Sequence, residues 1–140
     1  MEEINFFNEE IKFDLINADN IRKWITSVVK SEHSTIETIN YIFCSDEYLL
    51  KVNQEYLNHD YYTDIITFDN SEIAGAISSD IFISIDRVEE NANINQSDFD
   101  NELHRVMIHG VLHLVGYKDK TDEDKIIMRA KEDAYISLLS

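Results

Sequence analysis

Residues 109–120 read "HGVLHLVGYKDK", an apolar run that carries two histidines and turns polar after Gly116. His109 and His113 are four positions apart, so on a helix they share one face and can direct both imidazoles at one cation. Gly116 stands where a helix C-terminus favours a left-handed residue, which lets the chain reverse and carry Asp119 back toward the same point. The spacing predicts a helix ending near Gly116 and a three-ligand metal site with an open position, as in catalytic zinc sites.

Two other interpretations of these residues are possible. A bare HxxxH pair is often only a pair of ordinary helix residues, but the longer pattern HxxxHxxGxxD in apolar surroundings favours a metal site. Zinc metalloproteases place a glutamate after the first histidine to activate water, and this chain has Gly110 there, so a protease would lack its general base. His33 and His59 are expected to face solvent, and His104 is expected to point away from His109.

The composition is that of a folded domain. The chain has 140 residues, of which 44% are apolar and 29% charged. That length predicts a single domain over residues 1–140. The N-terminus is acidic where a signal peptide would be basic, and no apolar run approaches the roughly 20 residues of a membrane span. We therefore expect a cytoplasmic protein with no membrane partner, and we expect Cys44 to be a buried strand thiol.

The charge limits how the chain can bind nucleic acid. The formal net charge is −16, from 28 acidic against 12 basic side chains. Binding driven by charge alone needs cations that displace phosphate counterions, so any contact with RNA must be local. The acidic clusters "SDFDNE", "DKTDED" and "RAKEDA" are expected to be solvated helix faces and caps.

The first half of the chain predicts two helices separated by a strand. "NADNIRKWITSVVKSE" has apolar residues at helical spacing, with Asp19 or Asn20 as N-cap and Trp24 in the core. "INYIFCS" has the composition and length of a strand. "SDEYLLKVNQEYL" predicts a second helix capped by Ser45, with Tyr56 on its apolar face.

The remaining elements are strands followed by helices. "TDIITFD" and "DIFISID" predict two strands, connected by the loop or hairpin "NSEIAGAISS", while the N-terminal "INFFNEEIKFDLI" fits either one strand or two. Helices are predicted at about residues 86–95 and 98–115. Thr121, with Asp124 three positions later, predicts a capping box that opens a final helix.

Three segments resemble one known family. "HGVLHLVGYKD" is similar to the HGxLHLxGYDH signature of the YbeY family, endoribonucleases that mature ribosomal RNA. "VNQEYLNHDYYTDIITF" resembles that family's LNxxYRxxDxPTDVLSF, and "SDIFIS" resembles its GDIxIx strand. The segments follow the family's order over roughly residues 46–120, about half of the chain.

This resemblance implies an α+β, zincin-like single domain, a small mixed β-sheet covered by helices with the metal-binding helix at its centre. It implies metal-dependent, single-strand-specific cleavage of RNA in 16S rRNA 3′-end maturation and ribosome quality control. The implied partners are the single-stranded 16S rRNA precursor and the small ribosomal subunit. The family's ligands fall on His109, His113 and Asp119, which would hold one divalent ion, with Zn²⁺ expected. The family usually has a third histidine where this chain has Asp119, and a carboxylate can shift the preference among metals.

A second departure concerns the cation that would face the RNA. Leu57 stands where the family has an arginine able to hold a phosphate or transition-state charge. Arg105, Lys118 and Lys120 are expected to form a local cationic rim instead, although the lysines also suit a helix C-terminus for its dipole alone.

The expected mechanism is that the ion polarises a phosphoryl oxygen or lowers the pKa of a bound water to ~7. The general base is not identified by the sequence, and Asp64 is expected to cap or to hydrogen-bond at the sheet edge rather than to catalyse. Two other functions stay open. A metal-stabilised ribosome-assembly factor with little catalysis is possible, because Leu57 replaces the arginine that would hold a phosphate. A metalloprotease is disfavoured, because Gly110 stands where its catalytic glutamate would be.

Overall fold

The structure of the chain, a computed structural model, describes residues 3–139. Within that range the chain forms four strands and five helices, in the order β1 (Glu3–Glu9), α1 (Ala18–Ser31), β2 (Thr35–Cys44), α2 (Asp46–Leu57), β3 (Ile65–Asp69), β4 (Ala76–Ser84), α3 (Ile85–Ile94), α4 (Phe99–Leu114) and α5 (Asp122–Ile136).

The four strands form one mixed sheet in the order β1-β2-β4-β3. β2 pairs in parallel with β1 and with β4, whereas β3 runs antiparallel to β4 as the other half of a hairpin. The predicted hairpin is confirmed, but β4 already begins at Ala76, so the connection is shorter than the sequence suggested. The N-terminal segment, which fitted one strand or two, contributes only β1.

Alternation along the strands gives the sheet two apolar faces. Ile39, Tyr41 and Ile81 point into the main core, which α1, α3, α4 and α5 complete from one side. Cys44 and Ile66 point to the opposite face, where α2 covers a smaller cluster. Successive side chains of a strand point to opposite faces, so the strands present apolar residues on both sides of the sheet. Helices cover both of these apolar faces.

Helix α4 lies at the centre of this arrangement. It contacts α1, α3 and α5 as well as β3 and β4. Its sequence explains the position, because its apolar residues surround most of the helix and eight of its residues are buried. The predicted α+β fold, a small mixed sheet covered by helices around a central helix, is confirmed.

Local sequence signals account for most helix starts. Ser45 accepts a hydrogen bond from the backbone of Tyr48, and Thr121 forms the predicted capping box with Asp124. Helix α1 forms as predicted, but its predicted N-cap, Asp19 or Asn20, was wrong. The helix is preceded by Asn17 in a left-handed conformation, and the Asp19 carboxylate accepts from Arg22.

The predicted core residues divide into two groups. Trp24 and Cys44 are buried as expected, and the Trp24 indole donates a hydrogen bond to the Tyr135 carbonyl at 2.8 Å. Tyr56 was expected on the apolar face of α2, yet it is 68% exposed near the helix end, where one edge contact with Phe68 of β3, at a centroid distance of 6.0 Å, leaves most of the residue in solvent. Over residues 3–139, no helix combines the length and the apolarity that a membrane crossing requires.

Candidate metal centre

Two histidines of α4 bring their Nε2 atoms together. His109 and His113 are one turn apart, and their Nε2 atoms lie 2.9 Å from each other. Their side chains are 23% and 32% exposed, so the pair lies partly sheltered at the helix surface. The one-face geometry predicted from the spacing is therefore present in the structure.

The chain reverses directly after α4. Gly116 has a φ of +114°, and its N–H donates to the His113 carbonyl while the Tyr117 N–H donates to the Leu112 carbonyl. These two bonds form a Schellman motif, in which glycine supplies the backbone conformation that other residues adopt with strain. The reversal places Asp119 Oδ2 3.3 Å from His109 Nε2 and 3.4 Å from His113 Nε2.

Both imidazoles are oriented through their other nitrogen. His109 Nδ1 donates to Glu132 Oε2 at 2.6 Å, and His113 Nδ1 donates to the Tyr117 carbonyl at 2.9 Å. With a proton on each Nδ1, both neutral rings present the Nε2 lone pair. Two lone pairs and the Asp119 carboxylate thus converge on one point, and they repel one another unless a cation lies between them.

Two of the three distances equal those around a shared ion. Ligands held tetrahedrally at zinc bond lengths lie roughly 3.3–3.5 Å from one another. The Asp119 oxygen lies 3.3 and 3.4 Å from the two nitrogens, whereas the nitrogens lie 2.9 Å apart and must separate slightly to share an ion. Among residues 3–139, His109, His113 and Asp119 form the group of potential ligands close enough to hold one metal ion.

Glu132 is a site residue that the sequence interpretation missed. It lies in the acidic cluster "RAKEDA", which was expected to be solvated, but only 4% of the residue is exposed. Its carboxylate accepts from His109 and, at 2.9 Å, from Arg105 Nη1. A signal was available, because Glu132 follows Met128 by four positions and precedes Tyr135 by three, on the buried stripe of α5.

Charge and burial act against each other at His109. Burial disfavours the imidazolium, but the hydrogen bond and the charge of Glu132, followed by the charges of Asp119 and Asp64, outweigh it and raise the pKa of His109. The carboxylates around this histidine therefore favour positive charge at the centre of the site, whether a proton or a metal ion carries it.

Tyr117 connects the turn after α4 to the rest of the fold. Its hydroxyl donates to Glu32 Oε1 at 2.7 Å, and Glu32 also accepts from Lys131 and Tyr135. Since the Tyr117 carbonyl accepts from His113, this cluster holds the second histidine through the backbone of the turn.

Gly110 explains why this helix carries no glutamate beside its first histidine. A Cβ at Gly110 would lie 3.0 Å from Ile65 Cδ1 and 3.3 Å from Thr67 Oγ1, because α4 packs closely on β3 there. The position is buried against the sheet rather than open to a substrate. The protease interpretation is further weakened, since a larger side chain cannot reach the site from this position.

Two cavities meet at the site. One, of about 370 Å³, extends from His109 and Asp119 between α3, α4 and α5. The other, of about 450 Å³, extends along β3 past His113. Asp64 lines both, and its burial raises its pKa against the opposing effects of His109 and nearby backbone amides. Asp64 thus faces the cleft in addition to its expected place at the sheet edge, where its carbonyl accepts from the Ser84 N–H.

Of the three residues predicted to form a cationic rim, two are exposed and one is engaged in ion pairs. Lys118 and Lys120 are exposed on either side of Asp119. Arg105 is instead 17% exposed and donates to Glu132 and Asp133, so its guanidinium is already engaged by two carboxylates. Leu57 is the last residue of α2, 39% exposed, and it lines neither cavity.

The remaining histidines lie outside the centre, as expected. His33 and His59 are exposed. His104 packs edge-on against Trp24, with ring centroids 6.0 Å apart, and burial lowers its pKa.

Known proteins resemble the chain over nearly its whole length. The family model described as endoribonuclease YbeY matches residues 3–140. Relatives named endoribonuclease YbeY are 58% identical in Cytophaga hutchinsonii, with 98% of this chain and 96% of the relative covered, and 52% identical in Flavobacterium psychrophilum, with 94% of both covered. A solution structure of a Thermotoga maritima protein matches with a TM-score of 0.66 and 28% identity, over 97% of this chain and 88% of that one. The chain therefore belongs to the endoribonuclease YbeY family.

Proposed function

We propose that this chain cleaves single-stranded RNA with the help of one divalent ion held by His109, His113 and Asp119. Membership of the family makes it an endoribonuclease, a hydrolase of RNA phosphodiester bonds in rRNA processing. The observation that carries the proposal for the site is the convergence of two imidazole lone pairs and one carboxylate at separations of 2.9–3.4 Å.

We further propose that the ion is Zn²⁺ and that the substrate is the 16S rRNA precursor at its 3′ end, with the small ribosomal subunit as partner. Two nitrogens and one carboxylate oxygen that leave an open position are typical of catalytic zinc. A role in ribosome quality control, carried out in the cytoplasm, belongs to the same proposal.

The protein's own contribution is orientation. When bound, a divalent ion supplies Lewis acidity to a phosphoryl oxygen and activates water near neutral pH. Glu132 and the Tyr117 carbonyl hold the two imidazoles in the tautomer that presents Nε2. The Schellman turn holds Asp119 against them.

Asp64 is our candidate for the proton acceptor. It lines both cavities together with His109 and Asp119, and it is not one of the three grouped ligands. Replacing it by asparagine keeps the shape of the side chain and removes its basicity. We expect Asp64→Asn to keep its metal while losing most of its cleavage, and lost metal would instead place Asp64 among the ligands.

The test is cleavage of a single-stranded oligoribonucleotide by metal-loaded protein, with and without chelator, beside a casein digest. We expect cleavage that the chelator abolishes, and we expect His113→Ala to lose both metal and cleavage. His33→Asn is a matched control, because His33 is exposed with a φ of 63° and asparagine tolerates that backbone.

The other functions give different results in this test. Metal binding that raises the melting temperature without any cleavage would favour the ribosome-assembly factor, which does not need the arginine that Leu57 replaces. Casein digestion would favour the metalloprotease. That result would contradict the inference drawn from the close packing at Gly110, which leaves no space for a catalytic glutamate. Full metal occupancy in His113→Ala would refute the ligand assignment.

A further inference from the structure

We propose that Lys125 and Arg129 of α5 form a phosphate-binding subsite that holds the RNA strand beside the metal centre. The inference rests on the proposed function, since it concerns the substrate of the same cleft. Neither residue was predicted from the sequence as an RNA contact.

The geometry of the cleft supports this subsite. The cavity of about 370 Å³ that begins at His109 and Asp119 is also lined by Lys125 and Arg129. These two residues are four positions apart on α5, so they lie on the same face of the helix about one turn apart. Both are exposed. An RNA strand that places one phosphate at the metal centre therefore passes two cations along the same wall.

Position in the cavity and the engagement of other cations together favour this pair. Lys118 and Lys120 are exposed beside Asp119 but do not line this cavity. Arg105 donates to two carboxylates, Arg87 pairs with Asp46 at 2.7 Å, and Lys131 donates to Glu32. Such ion pairs hold these cations to the protein and reduce what they can offer to a ligand.

Arg129 remains available by comparison. Its side chain is 64% exposed, and in the described part of the chain its ionic contact is a distant one, 3.9 Å from Glu132 Oε1. The Glu132 carboxylate is already occupied by closer hydrogen bonds from Arg105 and His109. An exposed guanidinium can make a bidentate contact with phosphate, and the ammonium of Lys125 can act as a neighbouring point charge.

The opposite wall of the cavity suits a polar strand. Asn91 of α3 and Asn95, which caps the C-terminus of that helix, line it, and the Asn95 amide also donates to the buried Glu102. The cations thus lie on the α5 side and uncharged amides on the α3 side. A phosphate is attracted to the exposed cations of α5, because the carboxylates that line the rest of the cavity, those of Asp64, Glu102, Asp119 and Glu132, repel it.

The overall charge makes the position of these two cations matter. With a net charge of −16, the protein repels RNA except where positive charge is concentrated. Each phosphate neutralised on a single strand contributes about 0.7 to the slope of log affinity against log salt. Two phosphate contacts therefore contribute about 1.4 to this slope, a large part of the shallow salt dependence that we expect for so acidic a protein.

The experiment compares charge-removal variants by fluorescence anisotropy, with metal-loaded protein and a phosphorothioate single-stranded oligoribonucleotide that resists cleavage. The test variant is Lys125→Gln with Arg129→Gln. The control is Lys12→Gln with Lys23→Gln, which makes the same change of charge at exposed positions outside the cavity. A second variant, Lys125→Arg with Arg129→Lys, keeps both charges.

We expect the test variant to bind about tenfold more weakly, which corresponds to about 1.4 kcal/mol. Its salt slope should be smaller by about 1.4, for two phosphates on a single strand. The control should show neither change, and the charge-keeping variant should retain most of the affinity. Equal affinity and slope in the test variant and the control would overturn the subsite.

Failure of the subsite differs from failure of the proposed function. If wild type cleaves RNA in a chelator-sensitive way but the test variant and the control bind with equal affinity and salt slope, only the subsite is wrong. If wild type binds but does not cleave, while the test variant still loses affinity and slope, the subsite stands and the nuclease assignment is wrong.

Discussion

Replacing Glu132 by glutamine tests whether a buried carboxylate outside the ligand set controls the metal site. Glu132 Oε2 accepts from His109 Nδ1 at 2.6 Å, and Oε1 accepts from Arg105 Nη1 at 2.9 Å. Glutamine has the same shape but only one acceptor oxygen. Whichever way its amide turns, its NH₂ group faces one of these two donors.

The size of the effect follows from these contacts. Removing the acceptor that orients a metal-binding histidine typically costs about 10–100-fold in metal affinity. That range corresponds to roughly 1.4–2.8 kcal/mol. We expect Glu132→Gln to fall within it, since His109 loses either its partner or the charge that favours a cation at the site. The fold should persist, because Arg105 keeps its bond to Asp133 at 2.7 Å.

The assay is a competition for Zn²⁺ against a chromophoric chelator of known affinity. Asp133→Asn is the matched control, since Asp133 is the neighbouring residue, contacts Arg105 and is 60% exposed. We expect the control to keep the wild-type affinity. Equal affinities in Glu132→Gln, Asp133→Asn and wild type would show that His109 needs no orienting carboxylate, and the reasoning would fail.

Three further predictions concern single positions. Asp119→Ala should weaken metal binding in the same competition assay and Asp119→His should restore it, whereas unchanged affinity in Asp119→Ala would make this residue a bystander. Gly110→Val should lower the free energy of unfolding by about 1–3 kcal/mol in urea titrations, because a Cβ there already lies 3.0 Å from Ile65 Cδ1 and 3.3 Å from Thr67 Oγ1 and valine adds two methyl groups to this contact; a variant as stable as wild type would contradict this packing argument. Burial, followed by the charges of Asp46 and nearby acids, raises the pKa of Cys44 to about 12, so the neutral thiol dominates at pH 8. Cys44 should then react with iodoacetamide only after unfolding, and rapid labelling of native protein would refute its burial.

The sequence predicted elements whose determinants are local. The capping box of Thr121 and Asp124 and the N-cap Ser45 lie within one helical turn of the backbone groups that they bind, so short stretches of sequence identify them. The alternation of strands such as β4 is equally local. The order β1-β2-β4-β3 is not, because strands distant in the chain pair through contacts that no single stretch contains.

The site divides in the same way. His109, His113, Gly116 and Asp119 fall within eleven residues, and helical geometry with one reversal suffices to bring them together. The sequence by itself thus determined the candidate ligands.

Only the tertiary structure decided which charges surround those ligands. "RAKEDA" looks solvated as a sequence, yet the packing of α5 on α4 buries Glu132 against His109. The same packing engages Arg105 and leaves Arg129 exposed at the cavity. The physical reason is that the state of a charged side chain depends on its burial and on partners from other elements, here 23 and 27 positions away in the sequence.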